Sequence, residues 1–153
     1  MSGLGLALVA AVAAERVVEL WLARRHAAWA RARGGIEHGR GHYPVMVALH
    51  VAWLVGCVVE PVLAARAVDA PRLAVGGVVV AAAQALRWWA ILTLGPRWTT
   101  RVIVVPGLPL VAGGPFRFLR HPNYLAVAVE VAALPLAVSA WVTATAWPGT
   151  PST

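Results

Sequence analysis

The run Arg120-His121-Pro122-Asn123-Tyr124 sets a guanidinium, an imidazole, an amide and a phenol side by side, directly after the glycine-rich turn Gly113-Gly114-Pro115-Phe116. Pro122 suits the first position of a helix, where no backbone N–H is required, and this places His121 next to the N-cap. The free N–H groups of a helix N-terminus, flanked by Arg120 and His121, make a site for an anion such as a carboxylate or a phosphate. The same residues also read as an interfacial anchor, with arginine for lipid head groups and tyrosine for the aromatic belt.

Further charges lie inside apolar runs. Glu15, Arg16 and Glu19 fall past the middle of the first run, where an unpaired charge costs roughly 2.5–3.5 kcal/mol on insertion scales. They must therefore face protein. Glu15 and Glu19 are one turn apart and Arg16 reaches Glu19 at i,i+3, so an internal ion-pair cluster is expected, acting either as glue between helices or to orient a substrate. Arg87 and Glu130 can pair with each other, or Arg87 can reach back to the membrane surface. His50 shares a helical face with Tyr43, Met46 and Trp53, which reads either as a satisfied interior group or as a substrate contact. Trp98 sits in the loop before the 120–124 run and can cover a ligand. The lone cysteine, Cys57, excludes a disulfide or a cysteine-based zinc site within one chain and reads as packing. No metal site is expected.

These residues need a scaffold, and composition names it. Of 153 residues 60% are hydrophobic and 12% charged, against roughly 45–50% and about 25% in soluble domains, and the mean hydropathy is +0.73. Apolar segments at Gly3–Ala23, Tyr43–Ala65, Leu73–Leu94 and Pro122–Trp147 do not alternate with polar residues, so they read as helices across a bilayer core of about 30 Å. The expected fold is all-α, a polytopic bundle of about four spans in one domain over residues 1–147, with an irregular tail at 148–153. The fourth segment, interrupted by Pro135, is either one kinked span or the first arm and turn of an incomplete helical hairpin.

The formal charge of +7 does not point to nucleic acid, because the arginines crowd into two loops. Arg24, Arg25, Arg31, Arg33 and Arg40 face the single acid Glu37 in one; Arg97, Arg101, Arg117 and Arg120 face none in the other. The positive-inside rule puts both loops in the cytoplasm and the N-terminus outside. No basic residue precedes the first apolar stretch, so it reads as a span and not as a cleaved signal.

Arg120-His121-Pro122-Asn123-Tyr124 at the start of a late membrane helix, preceded by Gly114-Pro115-Phe116, resembles the R-H-P-x-Y signature of the isoprenylcysteine carboxyl methyltransferase family. The likeness extends through Gly41-His42-Tyr43-Pro44 to His50, Leu86-Arg87-Trp88-Trp89 and Gly95-Pro96-Arg97-Trp98-Thr99-Thr100-Arg101, and is similar to a small bacterial branch encoded beside polyketide synthases. The resemblance implies S-adenosylmethionine as cofactor, held at the cytoplasmic end of the last helices. His121 would bond its methionine carboxylate and Tyr124 would line the pocket, with Arg120 and Asn123 beside them. It also implies a lipophilic acceptor, either a prenylcysteine carboxylate or a hydroxyl of an alkylated polyketide, with Glu15, Arg16, Glu19, His50 and Trp98 as candidate substrate contacts. Ala126 stands where the family usually has glycine. A further family helix, ending in an arginine and paired glutamates, has no counterpart after Trp141, so the chain reads as truncated, and no residue is assigned as catalytic.

The expected protein is thus an integral S-adenosylmethionine-dependent O-methyltransferase of a bacterial inner membrane, in contact with lipids and with its cofactor site facing the cytoplasm. Two rivals remain: a membrane reductase-like protein that binds NADPH, and an inactive truncated structural protein.

Overall fold

Ser2 opens the first helix by accepting the N–H of Gly5 on its hydroxyl at 3.2 Å, and with nothing to break it α1 runs 29 residues, Gly3–Arg31. At about 1.5 Å per residue it outreaches the hydrocarbon core by about two turns. The helix therefore does not stop at Ala23; it carries Arg24, Arg25 and Arg31 beyond the apolar layer. It ends where Gly34 takes φ 75° and the N–H groups of Gly34 and Gly35 return to Arg31 and Ala30, the Schellman closure that a residue without Cβ makes cheap.

The computed structural model describes residues 2–39, 41 and 43–145. After α1 come β1 (Ile36–His38), α2 (Tyr43–Leu63), α3 (Ala70–Leu94), β2 (Val102–Val104), α4 (Pro122–Ala137) and the short α5 (Trp141–Thr145), with 3-10 turns at Gly95–Arg97 and Gly114–Arg117. The tail expected at 148–153 lies outside the described residues, as do Arg40 and His42. The all-α bundle is present, with one addition: β1 pairs antiparallel with β2, Glu37 opposite Ile103. The pair ties both arginine-rich loops to one end of the bundle.

Two helical stretches have the length and hydropathy of a span: Tyr43–Leu63, 21 residues at mean hydropathy 2.0, and Ala70–Arg97, 28 residues at 1.5. α1 is long enough but carries Glu15, Arg16 and Glu19, and α4 has only 16 residues, about 24 Å of helix. The fourth apolar segment is not one kinked span. α4 closes in a second Schellman turn, with Ser139 at φ 63° and the N–H groups of Ser139 and Ala140 bonded to Leu136 and Pro135. Pro135 is tolerated inside α4 although it cannot donate to Val131, because the indole N–H of Trp53 donates to that carbonyl from α2 at 3.3 Å.

The apolar core gathers Val9 and Val12 of α1, Trp53 and Cys57 of α2, Val80 of α3 and Val131 and Leu134 of α4. Cys57 is fully buried, which agrees with a packing role. α3 and α4 lie antiparallel and close. A Cβ on Gly76 would come 2.4 Å from that of Ala137, and one on Gly114, just before α4, 2.3 Å from Thr93 Oγ1 near the end of α3.

α2 ends in the same turn without a glycine: Ala65 takes φ 47° while its N–H and that of Arg66 return to Val62 and Pro61. An L-residue there is strained by roughly 1–2 kcal/mol. Ala65→Gly, at an exposed position, is expected to stabilise the protein by about 1 kcal/mol, seen as a higher thermal midpoint in detergent; an unchanged or lower midpoint would show that the turn is not strained.

Candidate functional site

Gly114, at φ 53°, turns the chain into the 3-10 segment, whose Pro115 carbonyl accepts the N–H groups of Phe118 and Leu119. His121 then sits at the N-cap position of α4, with φ −136° and ψ 64° and no capping bond from its side chain, and Pro122 begins the helix. Arg120 and His121 are exposed and Tyr124 is 69% exposed, its ring edge-on to His121 with centroids 5.7 Å apart. Asn123 turns inward, and its buried Oδ1 has no hydrogen-bond partner among the described residues. The four residues therefore share one open helix start that offers backbone N–H groups, a guanidinium, an imidazole and an amide.

A second assembly lies two turns deeper. Glu130, seven residues beyond Asn123 on the same stripe of α4, accepts Arg16 Nη2 at 2.8 Å. Arg16 Nη1 donates to Glu19 at 2.6 Å, as the i,i+3 spacing implies, and Nη2 donates also to Gln84 Oε1 at 2.9 Å. Arg87 grips Glu19 with Nε at 2.5 Å and Nη2 at 2.6 Å, and Gln84 Nε2 donates to Glu15. Glu15, Arg16 and Glu19 are thus drawn into one ion-pair cluster across α1, α3 and α4. The Arg87–Glu130 pair expected from sequence does not form: each takes a partner on α1 instead, and Arg87, 6% exposed, does not reach back to the surface. The buried Glu130 Oε1 lacks a partner among the described residues.

His50 is half-buried and edge-on to Trp53, ring centroids 5.6 Å apart, on the side of α2 within electrostatic reach of Arg16, Arg87 and Glu19. Trp98 does not lie open over a ligand. It is 3% exposed, packs with Ala23 and Ile91, and holds the turn after α3 to α1 through its carbonyl, which accepts His26 Nδ1 at 2.7 Å.

Sequence reasoning missed Gln84 and Glu60. Gln84, three residues before Arg87 in an otherwise apolar run, carried a usable signal. Glu60 stands at the end of α2, where a charge reads as a simple boundary marker. Its carboxylate accepts the N–H groups of Val142 and Thr143 at 2.9 and 2.8 Å, Thr143 Oγ1 at 2.8 Å and Arg66 at 2.5 Å.

Two cavities adjoin these groups. One, of about 170 Å³ at the loop end, is lined by Arg24, Arg31, Arg101, Tyr43 and Thr100. Beside it Glu37 receives Arg101 at 2.7 Å and Arg31 at 2.9 Å, and these hydrogen bonds hold its carboxyl down at about 2. The other, of about 360 Å³, is a cleft between α1 and α3 walled by Leu8, Val12, Val80 and Trp88, with Glu15 and Gln84 as its polar part. Neither is lined by Arg120, His121, Asn123 or Tyr124.

Comparison with known proteins bears on this arrangement. The pattern of the isoprenylcysteine carboxyl methyltransferase (ICMT) family matches residues 75–148, which takes in all but the first turn of α3, the Gly114 turn and α4 with Asn123 and Glu130. The uncharacterized protein YpbQ of Bacillus subtilis (strain 168) is 33% identical over 136 residues, covering 89% of this chain and 80% of that protein. An uncharacterized protein of Haemophilus influenzae is 26% identical over 115 residues, 75% of this chain and 66% of its own length. No solved structure matches the chain. With α3 and α4 in register and the Arg120–Tyr124 run at the start of α4, this chain is a helical membrane protein of the isoprenylcysteine carboxyl methyltransferase family.

Proposed function

We propose that the protein is an S-adenosylmethionine-dependent O-methyltransferase acting on a lipophilic acceptor, a prenylcysteine carboxylate or an alkylated polyketide hydroxyl, at the cytoplasmic face of a bacterial inner membrane. The observation that carries this reading is the open start of α4. Its free N–H groups, with Arg120 and His121 exposed beside them and the unpartnered Asn123 Oδ1 just beneath, suit a ligand that bears both a carboxylate and hydrogen-bond donors. Such a group is offered by the methionine moiety of S-adenosylmethionine, which when bound supplies an electrophilic methyl on a sulfonium.

The chain's own contribution is placement and electrostatics. His121 and Arg120 neutralise the carboxylate together with the positive end of the α4 dipole. Tyr124, edge-on to His121, supplies an apolar wall. In-line displacement at a sulfonium demands mainly alignment and exclusion of water.

His121→Ala is expected to weaken S-adenosylmethionine binding at least about tenfold, the effect of losing one charge-assisted hydrogen bond. Titration of detergent-purified protein measures it. Unchanged affinity favours the lipid-anchor reading of the 120–124 run, and saturable binding of NADPH in place of S-adenosylmethionine favours a reductase.

The orientation follows from the arginine asymmetry of the loops. Because β1 pairs with β2, cysteines introduced near Arg31 and near Arg101 are expected to label from the same side, the cytoplasmic one. A probe near Arg31 that reacts from outside intact cells would reverse the assignment.

A further inference from the structure

Loop arginines by themselves report topology. Topology does not require three of them, from two separate stretches of chain, to meet around one recess. Yet Arg24 and Arg31 of α1 and Arg101 before β2 line the 170 Å³ cavity at the loop end. Arg24, Ala27 and Arg31 fall at i, i+3 and i+7 on one face of α1, and the small Ala27 between the two arginines leaves the hollow. Tyr43 at the start of α2 and Thr100 complete it. The β1–β2 pair ties Arg101 to this end of the bundle, and its guanidinium lies over the Tyr43 ring at 4.2 Å.

The hydrogen-bond donors of this recess are only partly used. Glu37 takes Nη2 of Arg31 and Nη1 of Arg101 and so holds both guanidinium groups in place. Arg24 is exposed and has neither an acid nor a hydrogen-bond acceptor among the described residues. Thr100 Oγ1 donates to the Tyr43 hydroxyl at 3.3 Å, so of the two hydroxyl protons one is left to give. Three guanidinium groups against one carboxylate leave a surplus of two positive charges. The negative end of the α1 dipole opposes an anion here, but it is blunted, because the Ala30 and Arg31 carbonyls already accept the N–H groups of Gly35 and Gly34.

A surplus of two charges, with donors converging from α1, α2 and the stretch before β2, suits a tetrahedral dianion better than a planar carboxylate. A phosphate group presents three acceptor oxygens and a charge of about −1.5 to −2, and arginine grips it with two bonds at a time. The cavity is smaller than the roughly 300–1,000 Å³ of sites that enclose a whole small molecule, so it admits a phosphate group and not a complete cofactor. It is also separate from the start of α4, since neither Arg120 nor His121 lines it. We infer that this recess binds a dianionic phosphate, either the head group of a phosphomonoester lipid or free phosphate from solution. Docked there, the phosphate joins α1 to the chain leading into β2.

Calorimetric titration of the full chain in dodecyl maltoside, at fixed ionic strength, tests this with three probes: inorganic phosphate, dioctanoyl phosphatidic acid and dioctanoyl phosphatidylcholine. The two dianions are expected to bind saturably and at least about tenfold more tightly than the zwitterion, whose single negative charge sits beside a cation. Phosphatidic acid binding at least about tenfold more tightly than inorganic phosphate identifies a lipid as the source; a smaller difference identifies phosphate from solution. Arg24→Gln should weaken both at least about tenfold, since it removes a charge-assisted contact, and Arg24→Lys should recover part of the loss by keeping the charge. Neither variant removes a partner that folding needs, and an unchanged thermal midpoint without ligand checks this. Equal affinity for phosphatidic acid and phosphatidylcholine, no saturation by either dianion, or unchanged affinity in Arg24→Gln would each overturn the inference. Unchanged affinity in Arg24→Gln together with a loss in Arg120→Gln would move the anion to the start of α4.

Discussion

Arg87→Met is expected to destabilise the bundle by about 3–5 kcal/mol, because the buried carboxylates of Glu19 and Glu130 are then left to share the single guanidinium of Arg16. Glu19 is 2% exposed and takes two bonds from Arg87, at 2.5 and 2.6 Å. The cluster holds two guanidinium groups, Arg16 and Arg87, against three carboxylates, Glu15, Glu19 and Glu130, so it has no cation to spare. Methionine keeps the length and apolar volume of the arginine stem, which confines the loss to the charge. Replacing Glu19 by methionine as well should recover most of the stability, because Arg16 keeps Glu130 at 2.8 Å and apolar pairs of similar volume often replace buried ion pairs at no cost. Unfolding in mixed micelles measures both variants. A double variant as unstable as the single one would show that Arg87 acts by packing alone.

Glu60→Ala should have the next largest effect, about 2 kcal/mol, concentrated on the last helix. α5 begins after Ala140, which has no side-chain oxygen with which to cap it. Glu60 performs that task from the end of α2, accepting the N–H groups of Val142 and Thr143 at the second and third helical positions. A cap supplied by a distant residue stabilises the helix and also fixes where it docks. Thr143 reinforces the contact by lying so close to Gly56 that a Cβ there would come 2.6 Å from its Oγ1. Hydrogen exchange should rise across residues 141–145 in Glu60→Ala while α3 stays protected. Thr143→Val, which removes only one of the four bonds to Glu60, should cost about 1 kcal/mol or less. Equal losses in the two variants would place the main contribution on the threonine and not on the carboxylate.

How much of this was legible in the sequence depends on the range of each interaction. α2 and α3 announce themselves, because runs of more than twenty mostly apolar residues, broken by His50 and Glu60 in one and by Arg72, Gln84 and Arg87 in the other, admit few other structures in a bilayer. The start of α4 is equally plain from Gly114 and Pro122, whose backbone demands are local. The Arg16–Glu19 bond follows from spacing within one helix. The partners of Glu130 and Arg87 do not: 114 residues separate Arg16 from Glu130 and 68 separate Glu19 from Arg87, and a sequence shows only that such charges need partners, not which rotation of α1 supplies them. β1 and β2 have three residues each, too few for a periodic signal, and they exist because Ile36–His38 and Val102–Val104 are brought together by the helices. Trp98 misleads for a related reason: proximity in sequence to the 120–124 run says nothing of its packing against Ala23.

The polar cluster also sets a timetable for biosynthesis. α1 leaves the ribosome first, carrying Arg16 and Glu19 with only each other as partners, while Gln84 and Arg87 have yet to be made and Glu130 is last. At roughly 5–20 residues per second, the 114 residues from Arg16 to Glu130 take about 6–23 seconds to synthesise. For that interval the first helix is a poor solute in hydrocarbon. Its buried charges gain their remaining partners only when α3 and α4 arrive, so the first of these helices to be made is among the last to be completed as a packed element.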